Sequence, residues 1–407
     1  MARLTIKPSV VKYTFLDSVC LLIGLFFCAG LNGQKPVCGN EVFFTDRVSI
    51  EKMSEADKII EDYLLQNAIN TRSEIIIPVV VHIVWHKGEE NLSDALVSSQ
   101  IDALNRDFNA ENSDIQNVPD EFKPVIGSPR IRFCLAAIDP SGNYTTGIIR
   151  VQCDRPMMGV SEDVFFSARG GSDAWDTEKY LNIWVADTGN LISGFGSYPN
   201  SVIPEKTGVV IHPKYFGMNR HRKYGMGRTA THEIGHYFGL RHLWADDRDC
   251  TTDDEVEDTP PQRNAHTNCP GYPQSGCSES EMFMNFMDYV DDPCMFLFTK
   301  GQSIKMLAVL NTYRSGLLSG NDKCIMPNSL ELSPLSIYPN PSSGLFHCRF
   351  SVAPMRIIKY GLYDAVGQLI RAEEQLINQD FYLNLETLPA GVYFLSIERE
   401  IYRLVKI

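Results

Sequence analysis

Apolar residues recur along this chain with two different periods, and each change of period marks an element. Ile75 to Trp85 is an almost unbroken apolar, β-branched run, the pattern of a strand covered on both faces. Asp94 to Phe108 carries Leu96, Val97, Ile101, Leu104 and Phe108 at helical spacing, so a strand leads into an amphipathic helix. Ile131 to Leu135 and Tyr180 to Val185 predict further strands of the same sheet, an α/β arrangement. The segment Gly194 to Pro199 predicts an edge strand at the rim of a cleft, where an extended peptide would pair by backbone hydrogen bonds. Ser54-Glu55-Ala56-Asp57 before Ile59, Ile60, Tyr63 and Leu64 reads as a capped amphipathic helix. Another helix is expected from about Gly227 to Tyr237. A third follows Leu297, with Thr299 as N-cap, Ile304, Met306, Leu307 and Leu310 behind it, and an end near Gly316.

After Cys324 the pattern changes to short strands separated by turn signals. Tyr360 to Asp364, Gly367 to Ile370, Leu388 to Tyr393 and Arg403 to Ile407 predict a small all-β sandwich.

The chemistry concentrates in Thr231-His232-Glu233-Ile234-Gly235-His236-Tyr237-Phe238-Gly239-Leu240-Arg241-His242. His232 and His236 lie four apart, so on a helix both rings leave one face and can grip one ion. Gly239 accepts positive φ cheaply, ends the helix and turns the chain back, which delivers His242 as a third ligand. Three imidazoles leave one position open on a tetrahedral Zn²⁺, where bound water has its pKa lowered toward ~7. Glu233, beside the first ligand, is placed to take the proton of that water. The segment therefore predicts a zinc hydrolase.

This extended motif resembles the metzincin zinc endopeptidases, whose chains carry a methionine turn below the metal. Asn285-Phe286-Met287-Asp288-Tyr289 supplies one, with Met287 as its apolar floor and Tyr289 as a transition-state stabiliser. Gly227-Arg228-Thr229-Ala230, Asp258-Thr259-Pro260, Met287-Asp288-Tyr289 and Cys294-Met295 together resemble the pappalysin family. So do Ile77 to His82, the Asp139-Pro140-Ser141-Gly142 turn and Tyr180 to Val185. The likeness spans residues 73 to 325. It implies an α/β (α+β) metzincin-type zincin domain with a twisted mixed sheet, an active-site helix and a loop-rich, disulfide-stapled C-terminal subdomain.

Cys250, Cys269, Cys277 and Cys294 bracket a stretch with little hydrophobic periodicity, and sequence alone allows three connectivities. The resemblance implies Cys250 with Cys277 and Cys269 with Cys294. Cys134 and Cys153 flank the Pro140-Ser141-Gly142 turn and are expected to join two strands. Asp246, Asp247, Asp249, Asp253, Asp254, Glu255, Glu257 and Asp258 crowd one loop, either solvated or relieved by a hard cation. The resemblance implies structural Ca²⁺ near Asp254, Asp258 and Thr259. It also places Asp291 and Asp292 in the wall of a specificity pocket, where carboxylates favour Arg or Lys at the cut. His82, His86, His212, His221 and His266 are expected to be structural or solvated.

With 407 residues and 44% hydrophobic content the chain can bury a sizeable core. A net charge of −13 argues against nucleic acid or an anionic membrane as partner and favours cationic peptides. Arg3, Lys7 and Lys12 precede the apolar run Val19 to Phe27 and small residues to Gly33, which reads as a signal peptide rather than a membrane span. Eleven cysteines in an exported chain are most simply disulfide partners.

Four regions are therefore expected: 1–33 a signal peptide, 34–72 a pro-segment, 73–325 the metalloprotease domain and 326–407 the sandwich. In the pro-segment, the Cys38 thiolate would fill the open zinc position as a latency switch, unless it is a disulfide or solvated cysteine, and Arg72-Ser73 is a plausible cut. The tail from Ile337-Tyr338-Pro339-Asn340-Pro341 onward resembles the sorting domains that direct cargo through the type IX secretion machinery. A carbohydrate-binding sandwich is disfavoured by the lack of an evident aromatic platform. The expected protein is thus a secreted or cell-surface zinc endopeptidase acting on protein or peptide, and nothing in the sequence sets an oligomeric state. Two other classes stay open, a surface adhesin on the same scaffold and a zinc amidase.

Overall fold

The computed structural model describes residues 38–40, 47–67, 74–189, 191–221, 223–244, 250–251, 253–324, 335–350, 356–377, 380–397 and 400–407. The expected signal peptide, the Arg72-Ser73 cut and Asp246, Asp247 and Asp249 lie outside them. In chain order the elements that matter are α1 (Arg47–Gln66), β1 (Ile75–Trp85), α2 (Asp94–Phe108), β2 (Ile126–Gly127), β3 (Ile131–Leu135), β4 (Ile148–Gln152), β5 (Leu181–Ala186), β6 (Gly194–Gly196), β7 (Val209–Ile211), α3 (Arg228–Tyr237), β8 (Phe298–Thr299) and α4 (Lys300–Thr312). Seven further strands follow: β9 (Leu335–Tyr338), β10 (Leu345–Phe350), β11 (Arg356–Tyr363), β12 (Leu369–Ile377), β13 (Asp380–Asn384), β14 (Gly391–Ile397) and β15 (Glu400–Lys406).

The main sheet runs β3-β1-β5-β7-β6, with β4 also paired to β1. All its pairings are parallel except β6 with β7. Parallel strands are covered on both faces, which is why β1 and β5 read as continuous apolar runs. Helix α2 starts at Ser93, whose side chain accepts from Leu96 N–H at 3.3 Å, and it buries Val97, Ile101, Leu104 and Phe108. Helix α4 is closed by a reciprocal box: Thr299 accepts from Gln302 N–H, and Gln302 Oε1 accepts from Thr299 N–H. It ends at Thr312, and a 3-10 helix over Ser315–Lys323 passes the Gly316 that the sequence marks as the stop.

Two expectations fail on tertiary grounds. Helix α1 is already formed at Arg47, ahead of the expected Ser54 cap, because nothing between the two breaks a helix and each added residue gains a hydrogen bond once a turn is docked. Its docked face is Ala56, Ile60, Tyr63 and Leu64, while Ile59 faces outward. Cys134 pairs with Cys324 rather than Cys153. Strands β3 and β4 both lie on β1, with Cys134 opposite Pro78 and Gln152 opposite Trp85. Seven residues of strand separate those positions by about 23 Å, far beyond the ~6 Å that a disulfide spans between Cα atoms. Cys153 instead donates its thiol to Arg155 O at 3.2 Å.

In the tail, the three-stranded sheet β13-β10-β9 and the four-stranded sheet β12-β11-β14-β15 share a core that includes Phe346, Phe350, Ile358, Leu362, Phe381 and Leu395. Alternation along β10 puts Phe346, Cys348 and Phe350 inside. Three aromatic rings gather on this sheet: His347 stacks on Tyr382 at 4.7 Å and meets Tyr338 edge-on at 4.9 Å, across three strands. Strand pairing creates the group from residues that are distant in sequence. Among the described residues no helix is long and apolar enough to cross a membrane.

Candidate active site

Helix α3 carries the first two histidines and is buried along its whole length. Its entry is locked by Arg228, whose guanidinium makes a bidentate pair with Asp114 at 2.6 and 2.8 Å and donates to Asp292 O at 2.7 Å. Thr231 donates to Asp107 at 2.8 Å. Burial pushes the Asp107 carboxyl up to about 6, and the charge of Arg228 opposes that rise. Asp292 is fully buried and its Oδ2 accepts from Met226 N–H (2.9 Å) and Arg228 N–H (3.3 Å), an anion at the positive end of the helix. Its neighbour Asp291 is nearly buried, with Oδ2 3.5 Å from Lys223 Nζ.

The helix ends in a Schellman arrangement. Leu240 N–H donates to Gly235 O (3.0 Å), Gly239 N–H donates to His236 O (2.9 Å), and Gly239 takes φ +80°. This turn returns His242 to the first two rings. The three Nε2 atoms stand 3.0 to 3.3 Å apart. His232 Nδ1–H donates to Phe286 O at 2.7 Å and His236 Nδ1–H to Leu240 O at 2.8 Å. A carbonyl only accepts, so in these two rings the protons sit on Nδ1 and the Nε2 lone pairs face each other beside His242 Nε2. Such a cluster is repulsive without a cation. Zinc–nitrogen bonds of ~2.0–2.1 Å in a tetrahedron give an edge of about 3.3 Å, so the donor set fits zinc.

Met287 is fully buried directly under the helix: a Cβ on Gly235 would lie 2.4 Å from its sulfur. The sequence signal for this contact is Gly235 itself, because a glycine inside a helix costs about 1 kcal/mol and therefore marks a close approach. The ring of Tyr289 lies 5.7 Å from that of His232 and 5.0 Å from that of His242. Trp244, not among the expected site residues, stacks on His242 at 4.5 Å and meets Tyr289 at 4.9 Å, so it fixes the third ligand's plane. Strand β6 lies tight against α3: a Cβ on Gly196 would stand 2.1 Å from Glu233 O.

Cys38 completes the centre. Its thiol donates to Glu233 Oε2 at 3.2 Å, both residues are buried, and one ligand atom each from Cys38, His232, His236 and His242 lie within 4.8 Å of one another. The next residues pair with β6: Gly39 N–H donates to Gly194 O (2.7 Å), while Asn40 Nδ2 donates to Gly196 O and Gly196 N–H to Asn40 Oδ1, both at 3.1 Å. A second contact lies on α1. Asp57 is almost fully buried and accepts from Tyr198 hydroxyl at 2.5 Å, forms an ion pair with Arg241 and has Lys305 Nζ at 3.7 Å.

In the acidic loop, Asp254 Oδ1 accepts from Thr259 Oγ1 at 2.6 Å and Asp258 Oδ2 accepts from Gly301 N–H at 2.9 Å. The other oxygen of each carboxylate is buried with no hydrogen-bond donor. Burial pushes Asp254 up to about 7, against the opposing effects of Thr259 and Lys305. Orphaned buried carboxylate oxygens suit a hard cation. The structure joins Cys250 to Cys277 and Cys269 to Cys294 around this loop-rich region.

Residues 167–311 match the peptidase M43 family model, described as pregnancy-associated plasma protein-A, and residues 336–406 match the secretion system C-terminal sorting domain. An extracellular metalloprotease of Trichophyton verrucosum is 38% identical over 249 residues, 60% of this chain and 80% of that protein. The mature mirolysin of Tannerella forsythia in complex with a cleaved peptide is similar at 41% identity and a TM-score of 0.58, over 61% of this chain and 98% of that one. A Tannerella forsythia promirolysin mutant matches at 37% identity and a TM-score of 0.64, over 70% of this chain and 96% of that one.

Proposed function

Because this chain belongs to the M43 pappalysin family of zinc metalloproteases and ends in a type IX sorting domain that marks it as secreted or cell-surface, we propose that it is a zymogen of an endopeptidase with Glu233 as general base. His232, His236 and His242 would hold the zinc, which when bound would supply the Lewis acid for water and the scissile carbonyl. Strand β6 aligns an extended peptide by backbone pairing. Glu233 takes the proton of the attacking water and passes it to the leaving amine. The Tyr289 hydroxyl donates to the developing oxyanion, an interaction worth about 10²–10³ in rate for a single such donor.

The observation that carries this reading is the Cys38 thiol on Glu233 among the three imidazoles, with Gly39 and Asn40 on the strand that a substrate would use. Residues 34–72 are the pro-segment in this account and 326–407 the sorting domain, with 73–325 the catalytic domain between them. Asp254, Asp258 and Thr259 would hold Ca²⁺, which would cross-link the loop through the orphaned carboxylate oxygens. Asp291, nearly buried beside Tyr224 and 3.5 Å from Lys223 Nζ, is the better candidate for a preference for Arg or Lys at the cut. Asp292 is committed to the start of α3.

Glu233→Ala in the processed enzyme should keep its zinc by elemental assay and lose turnover of casein. Proteolysis retained by that variant would refute the general-base role. Casein digestion abolished by a chelator, beside inert cell-wall substrates, separates this enzyme from a zinc amidase and from an adhesin.

A further inference from the structure

Asp288, between the methionine turn and Tyr289, is fully buried, and its carboxylate accepts four hydrogen bonds. Oδ1 takes the backbone N–H of Tyr289 (2.7 Å) and of His266 (2.8 Å), and Oδ2 takes Gln262 Nε2 (2.8 Å) and His266 Nδ1 (3.0 Å). The other ring nitrogen of His266 is 3.2 Å from Glu281 Oε2, and that carboxylate is also buried, with its Oε1 on the backbone N–H groups of Cys277 (3.0 Å) and Arg263 (3.3 Å). A neutral imidazole donates from one nitrogen only, so an imidazole facing two carboxylates is a protonated one. Burial by itself would push His266 down. The hydrogen bond and charge of Asp288, with the charge of Glu281, outweigh that effect and raise it.

We propose that the His266 imidazolium is a positioning residue of peptide hydrolysis, clamping Asp288 so that the turn holds Tyr289 against the metal-binding histidines. The inference rests on the oxyanion role assigned to Tyr289 above. Its mechanical basis is the shared carboxylate: the His266 ring holds Oδ2 while Oδ1 of the same group takes the Tyr289 amide, so the peptide plane from which the tyrosine ring leaves is set by where the imidazolium holds Asp288. The segment around His266 is splinted along the exit of the turn. Asn268 bridges Val290, Asp291 N–H donates to Asn268 O at 2.8 Å, and Cys269 is bonded to Cys294. Without the cation, two buried carboxylates would face each other across a gap and the turn would relax. A displacement of about 1 Å at a reacting group can cost 10²-fold in rate.

The test is a double-mutant cycle on the processed, zinc-loaded enzyme with a fluorogenic peptide, comparing His266→Ala, Tyr289→Phe and both together. The expected result is a kcat loss of about tenfold or more for His266→Ala, with KM and zinc content unchanged. In the Tyr289→Phe background the same change should cost less than about twofold, because the group being positioned is already gone. An equal loss in both backgrounds, a change in KM alone, or no change would overturn the inference while leaving the role of Tyr289 intact. Tyr289→Phe at wild-type kcat would overturn that role, and the inference with it. If His266→Ala does not fold, His266→Gln replaces it in the same cycle. That side chain keeps a donor for Asp288 and removes the charge, so a smaller kcat loss, again absent with Tyr289→Phe, is expected.

Discussion

Asp57→Ala should turn the latent form into one that activates itself quickly, although Asp57 makes no contact with the zinc ligands. The carboxylate is almost fully buried against Arg241, Tyr198 and Lys305, and Arg241 lies next to the third ligand, His242. Removing one partner of a buried ion pair costs about 3–5 kcal/mol, much of it from the charge left behind. Here Glu255 stays 3.6 Å from Arg241 and 3.4 Å from Lys305, so part of that charge remains compensated. About 2–3 kcal/mol of docking free energy is then lost, which at 1.4 kcal/mol per decade shifts the docked-to-undocked ratio by about 30–150-fold. The assay is the lag before peptide hydrolysis in purified zymogen, with cleavage followed by mass. The processed enzymes made from wild type and variant are the same molecule if the cut falls beyond Asp57, so their final rates should coincide. A variant with the wild-type lag would refute the latch. A variant with a lower final rate would show that α1 assists folding of the domain instead.

Three further outcomes follow from the same geometry. Burial lowers His82 from 6.5 to about 4, while it bonds Ser172 and Asn182. The unfolded chain therefore binds this proton more readily, so the contribution is fully present above pH 6.5 and is lost as pH falls toward 4. About 3 kcal/mol is at stake, and the fall in Tm over that window should shrink in His82→Gln. Removing Ca²⁺ with a selective chelator should lower Tm in the wild type and leave Asp254→Asn unaffected, and equal responses would rule out calcium at that loop. Peptide mapping without reduction should recover Cys134 joined to Cys324, and a fragment joining Cys134 to Cys153 would contradict the pairing of both β3 and β4 with β1.

His232, Glu233, His236 and His242 are legible in the sequence because a helix and the single turn after it place them: 3.6 residues per turn aligns two rings, and Gly239 reverses the chain. The strand β1 and the helix α2 are legible for the same reason, since their periods are local properties of the residues themselves. What surrounds the ligands is not local. Cys38 reaches Glu233 from 195 positions away, Arg228 finds Asp114 across 114, and Cys134 takes Cys324 at a separation of 190. The aromatic ladder of Tyr338, His347 and Tyr382 exists only once three strands are in register. Periodicity states which face of an element is buried. Which other face meets it is decided by how the whole chain packs, because burial is rewarded wherever complementary surfaces exclude water, irrespective of sequence distance.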